Sequence, residues 1–149
     1  MKRLIAKPYN SGFVHAHDTY NGISAACDGK IYYVLCSNLA DVAAQMFSFD
    51  PAGQKIDHVA DLTEACGEKG MGVVAQGKSH VSFVESAGKL YFASHIGYYT
   101  NIGGMEKPGI PPEGMKPYRG GHFLSYDIGT GAFEDLALAP RGEGIITMA

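Results

Sequence analysis

The chain has 149 residues, of which 46% are hydrophobic and 18% charged, as expected for a soluble globular protein with one sizeable core. The formal net charge of −3 excludes the basic surface that binding to nucleic acid or an anionic membrane needs. The apolar run Leu4–Ala6 is far too short for a signal peptide, and no run approaches the ~20 apolar residues of a membrane helix. Nothing directs secretion, so a soluble protein is expected, cytoplasmic by default.

Twenty glycines and nine tyrosines favour turns and strands over long helices. After a short strand at 3–6 and a loop, a first unit of four strands is expected at 21–27, 31–36, 45–49 and 55–59. Its first turn is Asp28-Gly29, the strongest short hairpin signal, which predicts a two-residue type I′ turn. Residues 61–77 form a link in which Asp61 or Thr63 caps at most one helical turn.

A second unit repeats the first, with strands expected at 80–85, 90–95, 122–126 and 132–136. The segment Gly29-Lys30-Ile31-Tyr32 matches Gly88-Lys89-Leu90-Tyr91, and Ser48-Phe49-Asp50 matches Ser125-Tyr126-Asp127. The second unit carries an insertion rich in Pro, Gly and Met at 100–119, and residues 142–148 look like the opening of a third unit.

Repeated units of four short antiparallel strands are typical of propeller blades. On the two matched segments, residues 20–148 resemble β-propellers of the broad YVTN, kelch-like and quinoprotein-like kind. Neither a WD dipeptide, as in WD40 repeats, nor a kelch Gly-Gly signature identifies a narrower family. The predicted fold class is therefore all-β, with antiparallel four-stranded blades, and a β-sandwich is the alternative.

Two blades and the start of a third do not close a propeller, which has at least four. The chain is therefore expected to be an incomplete propeller, or a fragment of one, whose partners are the remaining blades or another copy. The expected divisions are an N-terminal strand and loop at 1–19, blade 1 at 20–61, a linker at 62–77, blade 2 at 78–139 with its inserted loop, and the start of blade 3 at 140–149.

The second hairpin turn, Ala87-Gly88, predicts that Ser86 faces Lys89, and the same register places His80 opposite His95. In the first hairpin, the corresponding facing positions are Asn21 and Cys36. The histidine pair is therefore expected in the second unit and not in the first, and both histidines are candidate catalytic residues.

The propeller resemblance implies that the loop before the first strand and the loop after the second strand share one rim, where such proteins bind ligands. Candidate ligand-binding residues on that rim are Arg119, His122, Tyr98, Tyr99 and His17. Neutral imidazole is a common metal ligand, so His80, His95 and His122 are candidate ligands of a divalent metal; the residues identify no cofactor beyond this candidate.

Two functions follow from this reading. The first is a rim that binds a small molecule or sugar, with a metal-assisted enzyme such as a lyase as an extension. The alternative is a non-catalytic propeller scaffold or sensor for protein interaction. Each histidine also has a plain structural interpretation as a hydrogen-bonded residue at a strand end.

Cys27, Cys36 and Cys66 fit no zinc spacing and are expected to be free, mostly buried thiols.

Overall fold

The computed structural model describes residues 4–148 and confirms the all-β class. Two four-stranded antiparallel sheets and one two-stranded ribbon make up the regular structure of this part of the chain. Helix is limited to one four-residue α-helix and one short 3-10 turn within these residues. None of the helices in the described range is long and apolar enough to cross a membrane.

The first sheet is a meander in which consecutive strands pair in chain order. Its strands are β1 Ile23–Ala25, β2 Ile31–Leu35, β3 Gln45–Asp50 and β4 Lys55–Asp61. Helix α1, Leu62–Ala65, follows directly, and Asp61 caps it by accepting a hydrogen bond from the Glu64 amide. The single capped turn predicted after the first unit is therefore confirmed.

The second sheet has the same meander arrangement, interrupted by the ribbon. The remaining strands are β5 Val84–Ser86, β6 Lys89–Ala93, β7 Thr100–Ile102, β8 Met105–Lys107, β9 His122–Asp127 and β10 Phe133–Leu138. The order across the sheet is β5-β6-β9-β10, and β7 pairs with β8 inside the insertion. The Pro- and Gly-rich composition of the insertion gave no signal for this ribbon.

The two hairpin turns differ, and the two-residue turn predicted at Asp28-Gly29 is wrong. Ala87 and Gly88 both have positive φ, 50° and 76°, and Ser86 pairs with Lys89, as a type I′ turn requires. In the first hairpin only Gly29 has positive φ, and the Ala26 amide bonds to the Lys30 carbonyl across a three-residue loop. A left-handed glycine after an ordinary turn shifts the register by one residue.

The pairing of the residues before β5 with those after β6 also differs from the predicted register. His95 forms its bridge with Lys78 instead of His80, and Cys36 forms the equivalent bridge with Asp18 instead of Asn21. Strand β5 begins only at Val84, so the chain between Lys78 and Val84 runs irregularly and holds more residues than the partner strand between Tyr91 and His95. A uniform ladder was the wrong assumption for this stretch.

The two sheets pack against each other through faces that do not correspond in the repeat. Tyr32 and Val34 of the first sheet and Leu90 and Tyr126 of the second share one buried core, and the Tyr32 and Tyr126 rings lie 5.7 Å apart. Leu62 of α1 belongs to the same core. Burial of these side chains supplies the main stabilisation of the pair of sheets.

Both chain ends depart from the predictions. Arg3 lies outside the described residues, and Leu4–Ala6 form no strand. The 142–148 segment, expected to begin a third unit, also forms no strand, but Ile145 is buried in the core between the sheets.

All three cysteines are free, as predicted, although Cys27 is exposed. Burial raises the pKa of the Cys36 thiol to about 11 and that of Cys66 to about 12, so neither is a reactive thiolate at neutral pH.

Candidate functional site

Four of the seven predicted site residues fall into two separate groups. The first, called here the imidazole cluster, surrounds the His80–His95 pair and consists of Asp18, Tyr20, Lys78, His80 and His95. The second, called the glutamate network, surrounds a buried carboxylate and consists of Glu68, Gln76, Ser94, Tyr118, Arg119, His122 and Asp135.

In the imidazole cluster, the rings of His80 and His95 are neighbours. Their centroids lie 4.4 Å apart at an interplanar angle of 52°. The other neighbour of His80 is Tyr20, stacked at 4.2 Å. The two histidines are therefore close together, although they are not bridge partners in the sheet.

Lys78 provides a positive charge beside the two histidines. Its side chain is almost fully buried, and Nζ donates a hydrogen bond of 3.1 Å to the Tyr20 hydroxyl. Burial lowers the pKa of Lys78, but the Tyr20 hydrogen bond and the Asp18 carboxylate outweigh burial and raise it. Lys78 is thus charged at neutral pH.

Both histidines of the pair are neutral at pH 7. Burial lowers the pKa of His80 to about 4, with help from His95 and Lys78, against a smaller opposing effect of Asp18. Burial also lowers the pKa of His95. His95 Nδ1 lies 2.9 Å from the Ile96 carbonyl, which can only accept, so Nδ1 carries the proton. His95 Nε2 therefore keeps its lone pair.

His95 forms one wall of a cavity of about 600 Å³. The charged, imidazole and tyrosine residues among those that line the cavity are His95, Tyr99, Arg141 and Glu143. Gly144 lies directly on the imidazole, since a Cβ at this position would fall 2.6 Å from His95 Nε2. Only a glycine allows the C-terminal segment to pass this close to the ring.

Arg141 has an unusual backbone conformation at the edge of this cavity. Its φ of 57° lies in the left-handed region, in the 3-10 turn Pro140–Gly142. This conformation costs an ordinary residue about 1–2 kcal/mol. Such strain is concentrated at functional sites.

Three buried side-chain polar atoms have no hydrogen-bond partner among residues 4–148, and all belong to the region around the imidazole cluster. They are Asp18 Oδ1, Ser79 Oγ and His80 Nε2. Orphaned buried polar atoms are uncommon in folded proteins, and each calls for an explanation.

In the glutamate network, His122 and Arg119 are held by protein groups. Glu68 is 1% exposed, and its Oε1 lies 3.0 Å from His122 Nε2 and 3.3 Å from Arg119 Nη1. His122 Nδ1 lies 2.8 Å from Asp135 Oδ2. Burial lowers the pKa of His122, but the two carboxylates more than offset this and raise it.

Gln76 fixes the same network from the other side. Its Nε2 donates to Glu68 Oε2 at 2.8 Å and to the Gly120 carbonyl at 2.9 Å. Its Oε1 accepts from the hydroxyls of Ser94 and Tyr118, both at 2.8 Å. All four hydrogen-bonding positions of the amide are filled, so the network is a structural support.

The predicted site is only partly assembled. Within residues 4–148 no group of three His, Cys, Asp or Glu side chains is arranged to hold a metal ion, and His122 does not join His80 and His95. Tyr98 and Tyr99 both pack against a small cluster that includes Val74 and Ile96, and Tyr99 also lines the cavity. His17 is half exposed and bonds to Asp18.

The sequence interpretation did not include Lys78, Arg141 or Glu143. Lys78 would have been found by allowing extra residues in the arm before β5. Arg141 and Glu143 lie in a segment assigned to a third unit, and nothing in their spacing connects them with His95.

Comparison with known proteins gave no match to a family, a curated protein or a solved structure. The functional conclusion therefore depends on the geometry of the chain itself.

Proposed function

We propose that the chain binds a small anionic, polyhydroxylated molecule, such as an acidic sugar, in the cavity beside His95. The observation that carries the proposal is the combination of His95, Tyr99, Arg141 and Glu143 around about 600 Å³ of space. That volume lies within the usual range for small-molecule sites, about 300–1,000 Å³.

Each wall of the cavity suits one part of such a ligand. Arg141 offers a planar guanidinium to a carboxylate, and Glu143 accepts a hydrogen bond from a hydroxyl. His95 Nε2, with its lone pair free, accepts from a second hydroxyl. Tyr99 supplies an aromatic surface for the sugar ring.

The same site is suited to proton transfer. His95 is neutral at pH 7 because burial lowers its pKa, so Nε2 can take a proton from a carbon next to the ligand carboxylate. This is the base step of a lyase. The proposal assigns no step to a metal, since the described residues bring together no three-ligand group for one.

We also propose that the two sheets are neighbouring propeller blades that lack their remaining partners. This is supported by the shared meander order and by the packing of unlike faces. The alternative is a β-sandwich, which the same two sheets allow.

A scaffold that binds another protein is the second candidate function. The observation in its favour is an apolar face of the first sheet, where Ile23 is 51% exposed. Exposed apolar faces of this kind often mark interaction surfaces.

Calorimetric titration of the full chain with galacturonate, and with neutral galactose for comparison, tests the ligand proposal. We expect galacturonate alone to bind, and Arg141→Gly to weaken binding about 10- to 100-fold, since it removes a charge-assisted pair. The change to glycine also suits the left-handed φ, so the variant keeps its fold.

Arg141→Lys separates charge from geometry, and about a 10-fold loss is expected because lysine cannot pair bidentately. His58→Gln, on the outer strand β4, is the matched control and should bind like the wild type. Equal affinity for galactose and galacturonate, or an Arg141→Gly variant with wild-type affinity, would overturn the proposal.

A further inference from the structure

The two sheets expose complementary faces at opposite ends of the molecule. Each sheet carries a row of side chains across three strands on either face, and the residue types in corresponding rows are alike. On one face, Ile31, Phe49 and Ile56 of the first sheet correspond to Leu90, Tyr126 and Phe133 of the second. These are called here the apolar rows.

The opposite faces correspond in the same way. Tyr32, Ser48 and Asp57 are paired across the first sheet, and Tyr91, Ser125 and Glu134 across the second. Each of these rows therefore reads tyrosine, serine, carboxylate, and they are called here the tyrosine rows.

Inside the chain, the tyrosine row of the first sheet covers the apolar row of the second. The Tyr32 ring contacts the Tyr126 ring, and Tyr32 and Ser48 are buried to 2% and 4% exposure. Leu90, in the opposing row, is fully buried. This contact shows that a tyrosine row and an apolar row fit together.

The apolar row of the first sheet and the tyrosine row of the second are less completely covered by the described residues. In the tyrosine row of the second sheet, Ser125 is only 2% exposed, but Tyr91 is partly exposed and Glu134 is exposed. On the first sheet, Ile31, Phe49 and Ile56 line a groove of about 370 Å³. Tyr9 contacts the edge of this groove through Phe49, at 4.7 Å between ring centroids, and leaves Ile23 51% exposed. On the second sheet, Val84 beside Tyr91 is also 51% exposed.

We infer that a second copy of this chain docks its tyrosine row, Tyr91–Ser125–Glu134, on the apolar row Ile31–Phe49–Ile56. The observation that selects this occupant is the same pairing of rows inside the chain. The contact joins unlike surfaces, so one copy of a docked pair keeps a free apolar row and the other keeps a free tyrosine row. Such a head-to-tail interface closes into a ring or extends as a filament.

A closed ring is the expected product, since two to four copies would supply the four to eight sheets of a complete propeller. The interface is tested by assembly state and the ligand cavity by ligand affinity, so one can fail without the other.

The test uses two matched variants on edge strands. Ile23→Glu places a charge beside the apolar row, and Val84→Glu places one beside the tyrosine row, at positions of equal exposure. Met105→Glu, on the ribbon at 59% exposure, is the control for adding a surface charge. Circular dichroism checks that each variant keeps its fold.

Light scattering coupled to size exclusion is expected to show an oligomer for the wild type and for Met105→Glu. Ile23→Glu and Val84→Glu alone should each run as a 15.9 kDa monomer. Mixed in equal amounts, they should form a one-to-one dimer, because the mixture restores one intact pair of rows.

Two results would overturn the inference. One is a wild-type chain that stays monomeric at about 100 μM, a concentration at which even weak homo-oligomers form. The other is a pair of folded glutamate variants that fail to associate when mixed, which would indicate an interface between like faces or none.

Discussion

Gln76 is the residue whose replacement tests most sharply whether the glutamate network supports the site. Gln76 is fully buried, and its amide makes four hydrogen bonds. Gln76→Leu keeps a similar side-chain size and removes all four. The Tyr118 hydroxyl, the Gly120 carbonyl and Glu68 Oε2 each lose the partner described above, while Glu68 Oε1 keeps His122 and Arg119.

The structure gives the size of this effect. Each buried polar group left without a partner costs about 1–3 kcal/mol, so three such groups cost about 3–9 kcal/mol. The added apolar surface of leucine offsets part of this, and we expect the free energy of unfolding to fall by about 3 kcal/mol. That loss is a large share of the 5–15 kcal/mol typical of a domain.

Urea denaturation followed by circular dichroism measures the loss. Gln45→Leu is the control, because Gln45 also bonds to several groups but is only half buried, so water replaces its partners. Its loss should stay below about 1 kcal/mol. Adding Tyr118→Phe to Gln76→Leu should cost less than the sum of the two changes. Equal losses at Gln76 and Gln45 would refute the reasoning.

Two further predictions concern pH and the second turn. Because the pKa of His80 falls from 6.5 to about 4 on folding, the unfolded chain binds more protons between these values. The wild type should therefore lose stability as pH falls from 6.5 towards 4, and His80→Phe should lose less. Urea titrations at pH 7.5, 5.5 and 4.5 measure both losses, and identical pH profiles of the two proteins would contradict this prediction. Ala87→Asn should raise stability by about 0.5–1 kcal/mol, since asparagine tolerates the positive φ of a type I′ turn better than alanine. Ala52→Asn, in a turn where the residue has no positive φ, should bring no such gain.

The sequence predicted the strands well where local signals set them. Short apolar segments bounded by turn signals, together with the repeat, placed β2, β3, β6 and β9 within one or two residues of their observed ends. The Ala87-Gly88 turn gave the correct local register because two left-handed residues fix the pairing of the strands beside them. Asp28-Gly29 did not, because the aspartate takes an ordinary φ and the loop gains a residue.

The site was predictable only in part. The His80–His95 proximity follows from the hairpin, but their bridge partners depend on irregular chain before β5 that no local pattern signals. His122 was grouped with them from its place at a strand start. The buried Glu68, which holds His122 elsewhere, comes from a glycine-rich link with no periodicity. Arg141 reaches the cavity through tertiary packing alone.

The ring nitrogens of His95 provide the most direct test of the proposed ligand site. Proton–nitrogen correlation spectra of the imidazoles would be recorded while galacturonate is added to the full chain. We predict that His95 Nε2 shifts as its lone pair accepts a hydroxyl, that Nδ1 stays protonated, and that the Tyr99 and Arg141 amides shift with it. No change at His95 with about 10 mM ligand, or changes confined to the apolar row of the first sheet, would contradict a ligand site in this cavity.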